Sequence, residues 1–459
     1  MLERGTRRLA AAALLSFTVM AAPAHAAPPR GSLVGLRGER GCLTELAAKG
    51  CAFGRALFGR DVEVSPDGRN VYFGAADAVS VFARGRHTGA LTQLPGSQGC
   101  VAWRATEVVT GPCAPARGLI GLTEIDVSPD GRHVYAAAED SRALTVFARS
   151  AVTGSLRQLP GQRGCLRRPG AGGWSVRDCR RARALGSVTD VIVSPDGRFL
   201  YVASKAPSTI AAFRRNTSTG ALAQLRGRAG CVARNSPTRC SRARTLRLPL
   251  GLAASHDDRN LYVASWESDA VTVLRRTSSG ALREPAGRAR CLNTPELAEF
   301  EHRCTPVREL FSPTSVLLSR DGRFLYVAGR QSVLSIQRAG RELTQLSGPL
   351  GCIGFAEDCF GDHAPTGVEA LALSPDGRNL YAGTVTNTVL AVRRRADGSL
   401  RPLRGRAGCV ARGRETDCVQ TRGLTNPMAL AVSPDGRNVY TASYSVSPGA
   451  GGIAVLRRR

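Results

Sequence analysis

The chain has 459 residues, of which 43% are hydrophobic and 22% charged, so it can bury a large core and is not an intrinsically disordered chain. Its 63 basic and 36 acidic residues give a formal net charge of +27, which favours acidic partners such as a cell-envelope polymer. The arginines are scattered and have no aromatic residues interleaved for base stacking, so we do not expect a nucleic-acid partner.

The first 26 residues have the features of a secretory signal peptide. Arg4, Arg7 and Arg8 precede the apolar run Leu9–Ala22, and Ala24-His25-Ala26 offers a small-residue cleavage site. The run is too short to remain in a membrane, and no later segment approaches about 18 apolar residues. We therefore expect cleavage near Ala26 and a mature chain without a transmembrane segment, exported to an extracellular, periplasmic or cell-surface location.

A motif of the type Ser-Pro-Asp-Gly-Arg recurs along the rest of the chain. Its central aspartates are 55–66 residues apart. The seven copies, two of them looser than the others, begin at Ser65, Ser128, Ser194, Ser255, Ser319, Ser374 and Ser433. A catalytic residue is needed once, whereas a turn is needed in every repeat, so we interpret the motif as architecture.

The second repeat illustrates the pattern of strands and turns. Runs rich in Val, Ile, Leu, Tyr and Phe alternate with Gly, Pro and Asp, as strands and hairpins require. The predicted strands of this repeat are Leu122–Val127, His133–Ala138, Ala143–Arg149 and Ser155–Leu159. In the fourth repeat Asp258 replaces the turn glycine, and aspartate is among the few residues that tolerate the left-handed conformation.

Four antiparallel strands in each of seven repeats predict an all-β, seven-bladed β-propeller that forms one domain over residues 27–459. The last repeat stops after its third strand, near Ile453–Arg459, and Gly31–Leu36 resembles the fourth strand of the other repeats. The N-terminal strand is therefore predicted to complete the last blade. A β-helix or an open solenoid is the structural alternative, but the complementary ends favour a closed ring.

The fourteen cysteines fall into seven pairs, one in each loop that follows a fourth strand. An exported chain with an even number of cysteines predicts disulfides, and one pair per repeat favours local bridges. Zinc is the alternative, but C-x-x-C spacing and nearby histidines are missing. The predicted pairs are Cys42/Cys51, Cys100/Cys113, Cys165/Cys179, Cys231/Cys240, Cys291/Cys304, Cys352/Cys359 and Cys409/Cys418.

At two positions of the predicted channel-lining strands, acidic residues occur in the first three blades only. The positions four and two residues before the turn serine carry Asp61, Glu63, Glu124, Asp126 and Asp190, whereas the later blades have small or apolar residues there. Carboxylates gathered in this way attract a cation such as Ca²⁺ or raise one another's pKa, which suits a metal site or a general base. The alternative is that arginines of neighbouring blades pair with them.

A second group of candidates lies on the loop face, by which we mean the face formed by the cysteine loops and by the hairpins between second and third strands. The opposite face, formed by the Ser-Pro-Asp-Gly-Arg turns and the Thr-Gly turns, is called the turn face. Candidate ligand contacts on the loop face are Trp266, Glu267, Asp269, His302 and His363. Surface solvation or packing is the alternative role for each.

The repeated Val-Ser-Pro-Asp-Gly-Arg-x-Val-Tyr, followed by Ala-Val-x-Val-Phe and Thr-Gly-Ala-Leu, resembles the lactonase-like seven-bladed propellers. That group includes 6-phosphogluconolactonases and carboxymuconate-cyclising enzymes, and it grades into the YVTN-repeat surface propellers. The resemblance covers nearly the whole mature chain and implies the fold. It transfers no catalytic residue, because the matching residues are turns and strand cores.

Two functions therefore stay open. The first is an exported, disulfide-braced propeller, expected to be a monomer, that binds a ligand, an acidic envelope polymer or a protein on its loop face. The alternative is a lactone hydrolase in which a channel carboxylate is the base and a metal or an arginine polarises the carbonyl. Export counts against a sugar-phosphate substrate, because sugar phosphates are cytoplasmic.

Overall fold

The computed structural model describes residues 29–45, 50–103, 111–235, 239–297, 303–361, 364–413, 417–444 and 451–459. Seven sheets of mostly antiparallel strands follow one another around a central channel, which confirms the predicted seven-bladed β-propeller. The predicted signal peptide lies outside the described residues. Within the described part of the chain, no helix combines the length and the apolar character that a membrane crossing requires.

Each blade begins with three antiparallel strands. The first strands, which line the channel, are Gly59–Val64, Leu122–Val127, Ser187–Val193, Pro249–Ala254, Ser315–Leu318, Val368–Leu373 and Pro427–Val432. The second strands are Asn70–Ala75, His133–Ala138, Phe199–Ala206, Asn260–Ser265, Phe324–Ala328, Asn379–Thr384 and Asn438–Ser443. The third strands are Ala78–Arg84, Ala143–Arg149, Thr209–Arg215, Ala270–Arg276, Ser332–Ala339, Thr388–Arg394 and Gly452–Arg458.

The fourth strand differs from the prediction because it is divided in two. Its first part pairs with the end of the third strand and consists of Leu91–Gln93, Leu156–Gln158, Leu222–Gln224, Leu282–Arg283, Glu342–Gln345, Leu400–Pro402 and, for the last blade, Leu33–Gly35. A short 3-10 turn then leads to the second part, which begins at a cysteine: Cys100–Ala102, Cys165–Arg167, Cys231–Ala233, Cys291–Asn293, Cys352–Gly354, Cys409–Ala411 and Cys42–Thr44.

Six blades also carry a two-residue strand that pairs in parallel with this second part, and blade 5 has a single bridge between Ile353 and Phe360 in its place. The two-residue strands are Ala114–Pro115, Arg180–Arg181, Ser241–Arg242, Thr305–Pro306, Val419–Gln420 and Ala52–Phe53. The second cysteine of a pair directly precedes each of them: Cys113, Cys179, Cys240, Cys304, Cys418 and Cys51. The disulfide therefore fastens the additional strand to the blade.

All seven predicted disulfides are present, with Cα–Cα distances of 4.8–4.9 Å. The bridged cysteines are 7 to 14 residues apart in the sequence. The bridges are Cys42–Cys51, Cys100–Cys113, Cys165–Cys179, Cys231–Cys240, Cys291–Cys304, Cys352–Cys359 and Cys409–Cys418. No free cysteine occurs among the described residues. Seven disulfides indicate that the protein folds in an oxidising, extracellular type of compartment.

The Ser-Pro-Asp-Gly-Arg motif forms a closed network of hydrogen bonds at each turn. The Ser65 hydroxyl is buried, donates to Asp67 Oδ1 at 2.6 Å, and accepts the amide N–H of Asn70 at 3.0 Å. Gly68 has φ 66°, in the left-handed region that the turn requires. Asp258 takes that conformation in blade 4 with φ 57°, as the sequence predicts.

The aspartate of each turn also joins neighbouring blades. It pairs with an arginine at or next to the end of the third strand of the next blade, as in the 2.8 Å contact between Asp67 and Arg149. The seven pairs are Asp67–Arg149, Asp130–Arg215, Asp196–Arg276, Asp257–Arg338, Asp321–Arg394, Asp376–Arg458 and Asp435–Arg84. They form an unbroken ring around the turn face, so the motif stabilises the packing between blades as well as the hairpin.

The N-terminus completes the last blade, as predicted. Leu33 is paired with Arg458 and Gly35 with Leu456 in the antiparallel register. The Gly31 carbonyl accepts a 3.0 Å hydrogen bond from the Tyr381 hydroxyl, as Gly154 does from Tyr72 between blades 1 and 2. Gly31 thus takes the place of the Thr-Gly glycine in a blade made from both ends of the chain.

Candidate functional site

The five acidic residues predicted from the sequence come together in the channel. They form one wall of a cavity of about 310 Å³, and the facing wall consists of first-strand residues of blades 4 to 7 such as Leu317, Ala370 and Leu430. Asp61 is buried, and the other four are partly exposed to the cavity. The channel therefore has an acidic side, formed by blades 1 to 3, and a mainly apolar side.

The three aspartates hold adjacent first strands together. Asp61 Oδ2 accepts the backbone N–H of Ile125 in blade 2 at 2.7 Å. Asp126 accepts that of Val193 in blade 3, and Asp190 that of Leu252 in blade 4, both at 2.6 Å. None of the five acids forms a salt bridge in the described part of the chain. The alternative predicted from the sequence is pairing with arginines of neighbouring blades, but for the aspartates backbone amides of the neighbouring blade are the partners instead.

Neither glutamate accepts a backbone N–H of a neighbouring blade in the described residues. Glu63 accepts the amide N–H of its own neighbour, Val64, at 3.1 Å. Glu124 forms a hydrogen bond with the Asp61 carboxylate that lowers the pKa of Asp61. Both glutamates line the cavity and are partly exposed to it.

Burial raises the pKa of all five acids. It raises the pKa of Asp61 and of Asp126 to about 7, against the hydrogen bonds from Ile125 and Val193. Burial and the negative charges of the other acids raise the pKa of Glu63, Glu124 and Asp190 well above their ordinary values. At neutral pH the cluster therefore contains both protonated and ionised carboxyl groups.

The channel acids do not form a compact set of metal ligands. Among the described residues, no three of them lie close enough together to hold one ion. The group that does, with its ligand atoms within 4.8 Å of one another, is Cys352, Asp358 and Cys359, but its two sulfurs are joined in a disulfide and are not available as thiolate ligands. Calcium binding in the channel stays a prediction, and it would require the carboxylates to move closer together around the ion.

A second charged pair at the channel mouth is not predicted from the sequence. Glu369 lines the cavity, where burial raises its pKa and Arg60 opposes that rise. The Arg60 guanidinium lies 4.9 Å from the ring centre of Tyr444, which packs against Phe58. An arginine supported by aromatic rings therefore stands beside the entrance to the acidic channel.

Arg60 and Glu369 occupy the same position, five residues before the turn serine. The pairing of first and second strands shifts register there, between Gly59 and Asp61 in blade 1 and between Val368 and Ala370 in blade 6. Such a bulge interrupts the alternation of side chains between the two faces of the strand. A search for channel residues at every second position therefore misses Arg60 and Glu369. Comparing this position across the seven repeats is the signal that would have identified both residues.

Three of the five loop-face candidates lie in the described residues, all in one hairpin of blade 4. Trp266 is 38% exposed, and Glu267 beside it pairs with Arg247 at 3.0 Å. Asp269 accepts the backbone N–H of Ser312 at 2.7 Å, which gives it a structural role. His302 and His363 lie outside the described residues.

Comparisons with known proteins support the predicted resemblance. The family model described as "Lactonase, 7-bladed beta-propeller" matches residues 179–295. A candidate 6-phosphogluconolactonase from Bacteroides fragilis has the same fold, with a TM-score of 0.51 and 15% identity over 84% of this chain and 86% of that chain. The periplasmic gluconolactonase of Pseudomonas aeruginosa gives a TM-score of 0.48 and 17% identity over 74% of this chain and 83% of its own. No curated protein matches the chain. The chain is thus similar to the lactonase-like propellers.

Proposed function

We propose that this protein is a lactone hydrolase of an oxidising compartment, acting in the acidic channel. The observation that carries the proposal is the group of channel carboxyls with raised pKa, which line a cavity of about 310 Å³ in a chain similar to the lactonase propellers. A cavity of this volume accommodates a small ring, and hydrolysis of an ester ring needs a base near neutrality and a hydrogen-bond donor for the carbonyl oxygen.

Asp126 is the proposed general base. Its pKa of about 7 keeps a large fraction ionised at neutral pH, and its bond to the Val193 amide fixes the orientation of the carboxylate. It accepts a proton from a water molecule, whose oxygen attacks the lactone carbonyl carbon. The ring C–O bond then breaks, and the proton returns from Asp126 to the leaving alkoxide, so that lactone and water give one hydroxy acid.

Glu124 is the proposed donor to the carbonyl oxygen. Burial and the charges of Asp61 and Asp190 raise the pKa of Glu124 and so favour its protonated form, and Glu124 lines the same cavity as Asp126. In this proposal its proton turns from Asp61, with which Glu124 shares a hydrogen bond, to the carbonyl oxygen of the bound lactone. A neutral carboxylic acid that donates a hydrogen bond stabilises the oxyanion of the tetrahedral intermediate. This role replaces the metal or arginine of the sequence-based hypothesis.

The test is hydrolysis of a panel of aldonolactones and unsubstituted lactones by the purified protein, followed by acid release. The Asp126→Asn variant, which lacks the base, and the Glu124→Leu variant, which lacks the donor, should each lower kcat by about 100-fold or more. Glu39→Gln, which alters an exposed carboxyl away from the channel, is the matched control and should retain full activity. Hydrolysis at the spontaneous rate across the panel, or full activity of Asp126→Asn, would overturn the proposal.

A binding function on the loop face is the second candidate, and one observation favours it. Of the six large hydrophobic side chains that are exposed in the described residues, five lie on this face: Phe53, Trp266, Phe311, Phe355 and Val385. Exposed aromatic side chains on one face are typical of a binding surface. Replacing Trp266 and Phe355 by serine should weaken capture of an apolar ligand without changing lactone hydrolysis, which separates the two functions.

A further inference from the structure

Two arginine-lined grooves meet where the ends of the chain pair, on the turn-face side of blades 6, 7 and 1. The larger has a volume of about 840 Å³, and the smaller about 540 Å³. Six arginines line the larger groove: Arg37, Arg40, Arg437, Arg457, Arg458 and Arg459. Those of the smaller groove are Arg30, Arg378, Arg393, Arg394, Arg395 and again Arg458, so the two grooves share a wall. We call them together the closure grooves.

Most of this positive charge is not neutralised. Arg458 pairs with Asp376 and Arg394 with Asp321, and Arg395 lies close to Asp397. The remaining eight arginines of the closure grooves are exposed and form no salt bridge with a carboxylate of the described residues. No acidic side chain lines the larger groove.

The repeat explains why charge accumulates on this face. In each turn the aspartate is neutralised by the third-strand arginine of the next blade, and the arginine of the motif itself stays exposed. Blades pack as sheets about 10 Å apart, which is close to the Debye length of about 10 Å at 0.1 M salt. The electrostatic fields of arginines on adjacent blades therefore overlap, and a polyanion that crosses several blades is attracted by the arginines of each.

The shape of the grooves restricts the partner. They are concave, so a linear chain can enter them, whereas a planar membrane or a rigid DNA duplex meets only their rims. No Phe, Tyr or Trp lines either groove, so single-stranded nucleic acid finds no surface for base stacking. Guanidinium groups bind phosphate and carboxylate oxygens alike in a bidentate manner, so a repeated anion of this geometry fits the grooves. Of the two we take phosphate, whose charge recurs along the backbone of a linear polymer.

We propose that the closure grooves bind a linear, base-free phosphodiester polymer of the cell envelope. The contact is multivalent, with successive phosphates binding Arg437 and Arg457 in the larger groove and Arg378 and Arg393 in the smaller one. This site is separate from the channel and does not depend on the proposed hydrolase activity.

The test is isothermal titration of the purified, disulfide-bonded protein with poly(glycerol phosphate) at several salt concentrations. The groove variant is Arg37→Gln, Arg437→Gln and Arg457→Gln together. The control variant is Arg142→Gln, Arg168→Gln and Arg244→Gln, which removes the same charge from exposed positions outside the grooves. The groove variant should lose affinity at least about tenfold, and the slope of log affinity against log salt should fall by about two. The control variant should stay close to the parent, and both should melt like it.

Inorganic phosphate, duplex DNA and phosphatidylglycerol vesicles complete the experiment. Phosphate should bind far more weakly than the polymer, because one anion engages only one or two arginines. Equal losses in both variants would assign the binding to net charge and overturn the site. Failure to bind the polymer, or equally tight binding of DNA or vesicles, would overturn the proposed partner.

Discussion

Arg84 and Asp435, which are 351 residues apart in the sequence, form a salt bridge of 2.8 Å between Nη2 and Oδ2. The Arg84 Nε also donates to the Tyr440 hydroxyl at 2.8 Å, and Nη1 donates to the Gly68 carbonyl at 3.2 Å. An equivalent Asp–Arg pair joins the neighbouring blades at each of the six other interfaces. This contact therefore closes the ring of Asp–Arg pairs where blade 1 meets blade 7.

Replacing Arg84 by alanine should destabilise the closed ring. The arginine side chain is buried and its partner is 34% exposed, so the expected loss is about 3 kcal/mol, at the lower end of the range for breaking a buried pair. The measurement is urea unfolding followed by tryptophan fluorescence. Arg86→Ala is the control, since Arg86 is exposed and forms no salt bridge in the described residues. Equal stability of the two variants would contradict the role of the pair.

Because the N-terminal strand completes the last blade, the contacts of that strand should contribute as much to stability as the equivalent contacts of the other blades. Tyr381 donates to Gly31 across the closing seam, and Tyr201 donates to Gly280 between blades joined by continuous chain, both at 3.0 Å. Tyr381→Phe and Tyr201→Phe should therefore each cost about 1 kcal/mol. Deleting residues 31–36 should lower the melting temperature much further, because it removes the outer strand and exposes an edge. A deletion variant that melts like the parent would show that this strand does not contribute to closure.

The disulfides should stabilise according to the length of the loop that each one closes. Cys165 and Cys179 are 14 residues apart, whereas Cys352 and Cys359 are 7 apart. Replacing both cysteines by alanine should cost about 3 kcal/mol for the longer loop and about 2.5 kcal/mol for the shorter one in the chain-entropy model. Chemical unfolding of the two double variants gives the comparison. A larger loss for the shorter loop would assign the effect to packing rather than to loop closure.

The fold is readable from the sequence because each repeat contains its own local signals. The strand Leu122–Val127, the turn at Ser128 and the paired cysteines recur at fixed order, so one repeat predicts the others. The division of the fourth strand is not predicted, because the sequence interpretation ends that strand before the cysteines and assigns the cysteines to a loop. A local signal for the 3-10 turn does recur: a glycine four residues before the first cysteine of a pair has a positive φ, as in Gly96 (φ 53°) and Gly161 (φ 58°).

The channel is predicted only in part, because its chemistry depends on contacts between blades. The sequence places Asp61, Glu124 and Asp190 on one side of the channel, and the structure agrees. It does not reveal that Asp61 accepts the Ile125 amide, since that bond requires the register of blade 1 against blade 2. The arginines expected to pair with the channel acids pair instead with the turn aspartates, because the third strands end at the turn face.

Calcium should have little effect on the protein at mildly acidic pH. The pKa of about 7 of Asp61 and Asp126 and the raised pKa of the other channel acids favour the protonated forms there, and no three of these acids among the described residues form a compact ligand set. Added Ca²⁺ should leave the melting temperature unchanged at pH 6, and any stabilisation should appear only at higher pH, where the cation no longer competes with protons. Strong stabilisation at pH 6 that Asp61→Asn with Glu124→Gln abolishes would establish a preformed cation site.

Stability should pass through a maximum at mildly acidic pH because two groups of carboxyls titrate in opposite directions. Burial alone would raise the pKa of Asp130, but hydrogen bonds from Ser128 and Arg215 outweigh it and lower the pKa to about 2. The stabilisation from such turn aspartates is complete above the unfolded pKa of about 4 and is lost as the pH falls through about 2. Asp61 and Asp126 have a folded pKa of about 7, so their contribution is complete below about 4 and is lost as the pH rises through about 7.

The double variant Asp61→Asn with Asp126→Asn isolates the channel contribution. Asparagine stays neutral at every pH and its side-chain oxygen can still accept the backbone amide, so the melting temperature of this variant should fall less between pH 5 and pH 8 than that of the parent, while the acid side of the curve stays unchanged. The control is Glu39→Gln, whose curve should follow the parent throughout, since Glu39 is exposed and lies outside the channel. Parallel curves for the parent and the channel variant would show that the channel carboxyls keep ordinary pKa values, and they would also remove the basis for Asp126 as a base near neutrality.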